Sequence, residues 1–151
     1  MNMENDMVDT RTAAYGALIL RVALGVLLLA HFALKYFVFT PAGTAQFFGS
    51  IGLPPALAYL TMLVELVTGA ALVLGVWTRL AALAAVPVLL GAVVFVHLGN
   101  GFIFSAPNGG WEYPAFWAVA LIVQALIGDG AYALLPTPVK AGTDRTVAAR
   151  S

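Results

Sequence analysis

The chain has 151 residues, 62% of them hydrophobic and 9% charged, with a formal net charge of zero and no cysteine. Soluble domains average about 45–50% apolar and about 25% charged residues, so this balance describes a membrane protein. It excludes nucleic acid as a charge-driven partner, and the missing thiols exclude disulfides, iron–sulfur clusters, thiolate metal sites and dithiol chemistry carried by the chain itself.

Residues 1–12, MNMENDMVDTRT, are polar and acidic and read as a flexible tail. The apolar run from Tyr15 to Phe39 is too long for a signal-peptide core and no small-x-small cleavage site follows it, so it reads as a retained spanning helix. After a connection over Thr40–Pro54, a second run extends from Pro55 to Val76. The turn VWTRL is short enough to make it an antiparallel hairpin with the third run, Leu80 to Leu98. Pro87 removes a hydrogen bond inside that third helix and should bend it near Gly91, opening space beside His97. A second long connection, Gly99–Glu112, leads to a fourth, shorter run from Tyr113 to Ile127, whose continuation through Gly128–Leu135 reads as an interfacial end. Residues 136–151 read as a second tail. The expected fold is all-α: a four-transmembrane-helix bundle over residues 13–135.

Orientation is read from seven Lys and Arg. Arg11, Arg21, Arg79, Lys140, Arg145 and Arg150 fall at one end and Lys35 alone at the other, which puts both termini in the cytoplasm and the two long connections outside.

Ionisable groups that face hydrocarbon cost roughly 2.5–3.5 kcal/mol, so those inside the spans are expected to face the bundle interior. Arg21, His31 and Lys35 lie within an arc of roughly 80° on the first helix. On the second helix Thr61, Glu65, Thr68, Gly69 and Leu72 form a stripe of small and polar residues where another helix can approach closely. Counted from the cytoplasmic ends, Arg21 lies roughly 9 Å deep and Glu65 roughly 16 Å deep, a gap a guanidinium could bridge. Arg21–Glu65 is the expected structural ion pair, either fixing helix register or relaying a proton. His31 is a competing partner for Glu65.

At the outer end His31, Lys35, His97 and Glu112 are expected to line one polar pocket with Trp111, roofed by the Gly99–Trp111 loop and its Asn108-Gly109-Gly110 turn. Trp111, Tyr113 and Trp117 also suit an aromatic belt at headgroup level. Pro114 suits the first turn of the fourth helix, and Glu112 could instead neutralise Lys35 and stabilise that helix N-terminus. His31 and His97 could in principle ligate a heme axially. No other metal site is expected.

RVALGVLLLAHFALK, GLPP, ELVTGAALVLGVWTRLAAL, His97, and NGGWEYPAFW followed by GDG together resemble the DoxX family of small four-helix membrane proteins, over about Leu18 to Gly130. The resemblance carries the family's recurrent polar positions to Arg21, Lys35, Glu65, Arg79, His97 and Glu112. Phe32, where a glycine often follows the histidine, and YALLP after the glycine corner depart from the pattern. The family's name comes from a membrane subunit of a thiosulfate:quinone oxidoreductase. The resemblance therefore implies a multi-pass protein of the cell (cytoplasmic) membrane, with no intrinsic cofactor but a quinone in the outer pocket. It further implies a lipid bilayer around the chain and a partner oxidoreductase subunit or a homo-oligomer. In that reading His31, Lys35, His97 and Glu112 would be the catalytic and quinone-binding residues, with Trp111 lining the site. The alternative is a non-catalytic membrane adaptor or anchor for a partner protein, in which the polar groups are helix glue.

Overall fold

A computed structural model describes residues 9–138. Calls on positive charge at Lys140, Arg145 and Arg150 lie outside the described residues, as do most of both expected tails. Five α-helices make up the structure: α1 Thr10–Ala33, α2 Pro41–Ser50, α3 Ala56–Leu74, α4 Thr78–Gly91 and α5 Glu112–Ile127. A π-helical turn, Leu34–Val38, continues α1, and another, Ala92–His97, continues α4 into a short 3-10 turn at Leu98–Asn100. Among the described residues there is no strand beyond a single bridge between Val76 and Leu135.

The long helices pack in the ring order α1, α3, α4, α5. Their burial is inverted relative to a soluble protein: Arg21 is 1% exposed and Gln124 fully buried, while Phe116 and Leu126 are each 72% exposed. Such an apolar surface is stable only against hydrocarbon, and the chain is a membrane-embedded helical bundle. Three helical segments are long and apolar enough to cross a bilayer, Arg11–Val38, Ala56–Leu74 and Thr78–Asn100. At 16 residues α5 spans about 24 Å, short of the roughly 30 Å hydrocarbon core, as its short apolar run foretold.

Small residues set the two closest packings. Gly25 of α1 faces Gly69 of α3 so tightly that a Cβ on Gly25 would lie 2.7 Å from the Gly69 carbonyl oxygen. This is the close approach expected of the α3 stripe, of which Glu65, Thr68, Gly69 and Leu72 are buried. Between α4 and α5, Ala81, Ala82 and Ala85 pack with Ala118, Leu121 and Ala125 in the same core as Leu24, Leu28 and Leu72.

Both outer connections carry more structure than a loop. Thr40 accepts from the Gly43 N–H through its side chain, with Pro41 at the first position, and so starts α2 inside the expected Thr40–Pro54 connection. Thr-Pro is a helix-start signal, and α2 packs on α3. Pro87 leaves its own turn α-helical, and the irregularity falls downstream of Gly91, where the helix widens into the π-helical turn that ends at His97.

The opposite end is closed by a strap. Asp129 Oδ1 accepts from the Thr78 N–H at 3.1 Å and the Thr137 hydroxyl at 2.8 Å, and Oδ2 from the Thr137 N–H at 3.0 Å. Trp77 N–H donates to Leu135 and Ala131 N–H to Ala14, so residues 128–137 lie across the ends of α1, α3 and α4. This corrects the boundary at 136, because Thr137 is part of the packed domain and not of a tail. Likewise α1 begins at Thr10, before the expected start at 13.

Burial alone would raise the Asp129 carboxyl, but hydrogen bonds from Thr137 and Thr78 outweigh it and hold the group below its ordinary value. A folded-state pKa below the unfolded value adds stability above about pH 3.9 that is lost as pH falls through the folded value. Asp129→Asn is therefore expected to lower the thermal unfolding temperature in detergent at neutral pH, with the gap to the parent closing below about pH 4. A gap that stays constant with pH would show that the carboxylate charge does not matter there.

Candidate functional site

Two arginines serve helix ends. Arg21 Nη1 donates to the carbonyls of Leu72 (3.2 Å) and Val73 (3.3 Å), and Nη2 to that of Ala131 (3.0 Å). The last carbonyls of a helix have no partner within it and carry partial negative charge, so α3 offers Arg21 a ready set of acceptors. Arg79 does the same for α5, its Nη1 donating to Ala125 (2.8 Å) and Leu126 (3.0 Å). A glycine makes room for each guanidinium. Gly75 has φ 72° and Gly128 φ 98°, and a Cβ on either would run into the arginine beside it. The two hairpins thus close in the same way.

The expected Arg21–Glu65 pair does not form. Glu65 lies seven residues before Leu72, about 10 Å further up α3, and its partner is Lys35. Lys35 Nζ stands 2.7 Å from Glu65 Oε1, with the side chains 19% and 4% exposed. The lysine leaves the π-helical turn of α1 and points inward. Thr44 of α2 donates to its backbone carbonyl at 3.3 Å. Glu65 Oε2 is buried with no hydrogen-bond partner among the described residues, and so is the indole Nε1 of Trp117. Between these groups stands His31, whose ring meets Trp117 edge-on at 5.0 Å and lies within electrostatic reach of Lys35 and His97.

The expected single pocket of His31, Lys35, His97 and Glu112 is divided. His31 and Lys35 belong to the interior cluster with Glu65, whereas His97 and Glu112 hold the outer loop. His97 Nδ1 is 3.0 Å from the Gly109 carbonyl, which can only accept, so Nδ1 carries the proton. Asn100 Nδ2 donates to Val96, Asn108 and Gly109, all at 3.1 Å. Glu112 Oε1 accepts from the Phe104 N–H at 2.7 Å. Lys35 is thus neutralised by Glu65, and Glu112 fastens the loop to the first turn of α5. Asn108 and Gly109 have positive φ, 65° and 75°, and turn the chain back as Asn-Gly-Gly suggested. Trp111 packs against Phe102 in that loop at 4.8 Å, not in the interior cluster. His31 and His97 each have a protein neighbour that orients the ring, and among the described residues no group of three His, Cys, Asp or Glu could hold a metal.

Two unpartnered buried polar atoms cost about 1–3 kcal/mol each unless a ligand or water satisfies them. One is an acceptor and the other a donor, on an apolar wall. That set suits a flat molecule with an oxygen at each edge, which is the hydrogen-bonding pattern of a quinone or its reduced form.

The DoxX family profile matches residues 16–98. A Bacillus subtilis (strain 168) protein named “Putative oxidoreductase CatD” is 34% identical over 134 residues, covering 89% of this chain and 95% of the relative. No solved structure matches the chain.

Proposed function

Since the chain belongs to the DoxX family, we propose that it is the membrane subunit of a quinone-linked oxidoreductase in the cell membrane, with the quinone head at the Lys35–Glu65 pair. The observation that carries this reading is the buried Glu65 Oε2 without a partner, on a carboxylate whose other oxygen Lys35 holds at 2.7 Å. The name of the Bacillus relative agrees with oxidoreductase chemistry. A thiosulfate-type electron source rests on the family resemblance and on no residue of this chain. A bound quinone would supply two-electron, two-proton chemistry; electrons would come from a partner subunit, since this chain has no cysteine.

The residues have separate tasks in this reading. Lys35 fixes the Glu65 carboxylate and balances its charge. Glu65 Oε2 accepts a hydrogen bond from a hydroxyl or holds its proton, and Trp117 Nε1 donates to an oxygen. His31, set by its contact with Trp117, is the group nearest to pass a proton on. His97 and Glu112 act one step away by holding the covering loop.

Binding of a tail-less benzoquinone to the purified protein, followed by tryptophan quenching, tests the site. The parent is expected to saturate, and a Lys35→Met, Glu65→Gln double variant, which removes both charges together, is expected to bind at least tenfold more weakly. Equal binding would remove the quinone site and leave the adaptor reading, which mass spectrometry of proteins co-purified from native membranes would then pursue.

The same proposal sets the termini in the cytoplasm, because Arg11, Arg21 and Arg79 gather at the strap end. With no native cysteine, a single Ser105→Cys gives a clean probe. It is expected to react with an impermeant thiol reagent in intact cells; protection there, with labelling only after lysis, would invert the topology.

A further inference from the structure

Phe104, Trp111, Glu112, Tyr113, Phe116 and Val119 are among the residues that line an open groove of about 590 Å³ on the outward face of α5. Its volume falls within the roughly 300–1,000 Å³ of ligand sites, and its walls are almost wholly apolar. Ring contacts lead from it to the interior. Phe104 meets Tyr113 at 5.5 Å, Tyr113 meets Trp117 at 5.9 Å, and Trp117 meets His31 at 5.0 Å.

We infer that this groove receives the isoprenoid tail of the quinone whose head reaches Trp117, an inference that rests on the function proposed above. The groove ends one aromatic ring from the unpartnered Trp117 indole, so a head and tail joined by a short link occupy both. A phospholipid chain suits the groove less well. The charged side chain in its lining is Glu112, an anion that repels a phosphodiester, and no lysine or arginine lines it. Phe116 and Phe104 are 72% and 60% exposed, so the tail enters from the hydrocarbon without any opening of the bundle.

The test compares a benzoquinone bearing three isoprene units with its tail-less homologue, each titrated against the full chain in phosphatidylcholine nanodiscs. Partition into lipid cancels when parent and variant are compared with the same quinone. A Phe104→Ala, Phe116→Ala double variant is expected to weaken the tailed quinone about tenfold, equivalent to losing contact with roughly two methylene groups, and to leave the tail-less one within twofold. Ala115→Phe, which fills the groove instead of emptying it, is expected to do the same, so a folding defect in one variant does not decide the matter. Loss of both quinones in parallel, or of neither, overturns the inference while leaving the head site standing. Spin-labelled phosphatidylcholine released by the variants, with quinone affinities unchanged, also overturns it and assigns the groove to lipid. Failure of the parent to bind either quinone overturns the proposed function itself.

Discussion

Glu65→Gln is expected to destabilise the protein by about 3–5 kcal/mol, the usual cost of removing one partner from a buried ion pair, because it leaves the Lys35 ammonium without its counter-charge. Lys35→Met should cost a comparable amount by stranding the carboxylate, whose Oε2 already lacks a partner. The double variant is expected to recover much of either loss, since two uncharged side chains leave no uncompensated ion. Thermal unfolding in detergent measures all three. Strict additivity of the single effects would mean that the 2.7 Å contact contributes nothing, whereas a large positive coupling fixes Lys35 as the partner of Glu65. Arg21→Met combined with Glu65→Gln, on the other hand, should show no such recovery, because the two residues have different partners.

Arg21 is the second position with a large expected effect. Its guanidinium spreads two nitrogens over three carbonyls from two segments, Leu72 and Val73 at the end of α3 and Ala131 in the strap. A hydrogen bond to a charged group contributes about 1.5–3 kcal/mol, so Arg21→Met is expected to lose several kcal/mol and to release the strap from α3. Arg21→Lys should recover only a minor part, since an ammonium cannot present a planar fork to acceptors on two sides. Gly75→Ala tests the same joint from the other direction. Its φ of 72° disfavours a side chain, and a Cβ would overlap the guanidinium and lie 2.6 Å from the Ala133 Cα. Limited proteolysis within residues 131–137 reads out strap release. Cleavage no faster in Arg21→Met than in the parent would show that the strap holds without it.

The membrane class, the four apolar runs and the inward face of α3 were legible in the sequence, because hydropathy and helical period are local properties that survive any packing. The Asn108-Gly109 reversal was legible for the same reason, as turn chemistry acts within a few residues. The helix α2 had its signal in Thr40-Pro41, a start that a reading of apolar length passes over. The strap was less visible. Gly-Asp-Gly marks a corner, but nothing local tells that Asp129 will join Thr78 to Thr137.

Partner choice among the buried charges was decided by tertiary structure alone. Depth along two helices allowed Arg21 and Glu65 to meet, yet depth does not register that a helix C-terminus presents unpaired carbonyls, which took the arginine and left the carboxylate to Lys35. Similarly, four polar residues at one depth suggested one pocket, but Glu112 and His97 were claimed by the backbone of their own loop. Sequence determined which groups had to be buried, since their type and position carry that information. Which acceptor each group met depended on competition between side-chain and main-chain partners that only the packed bundle brings within 3 Å of one another.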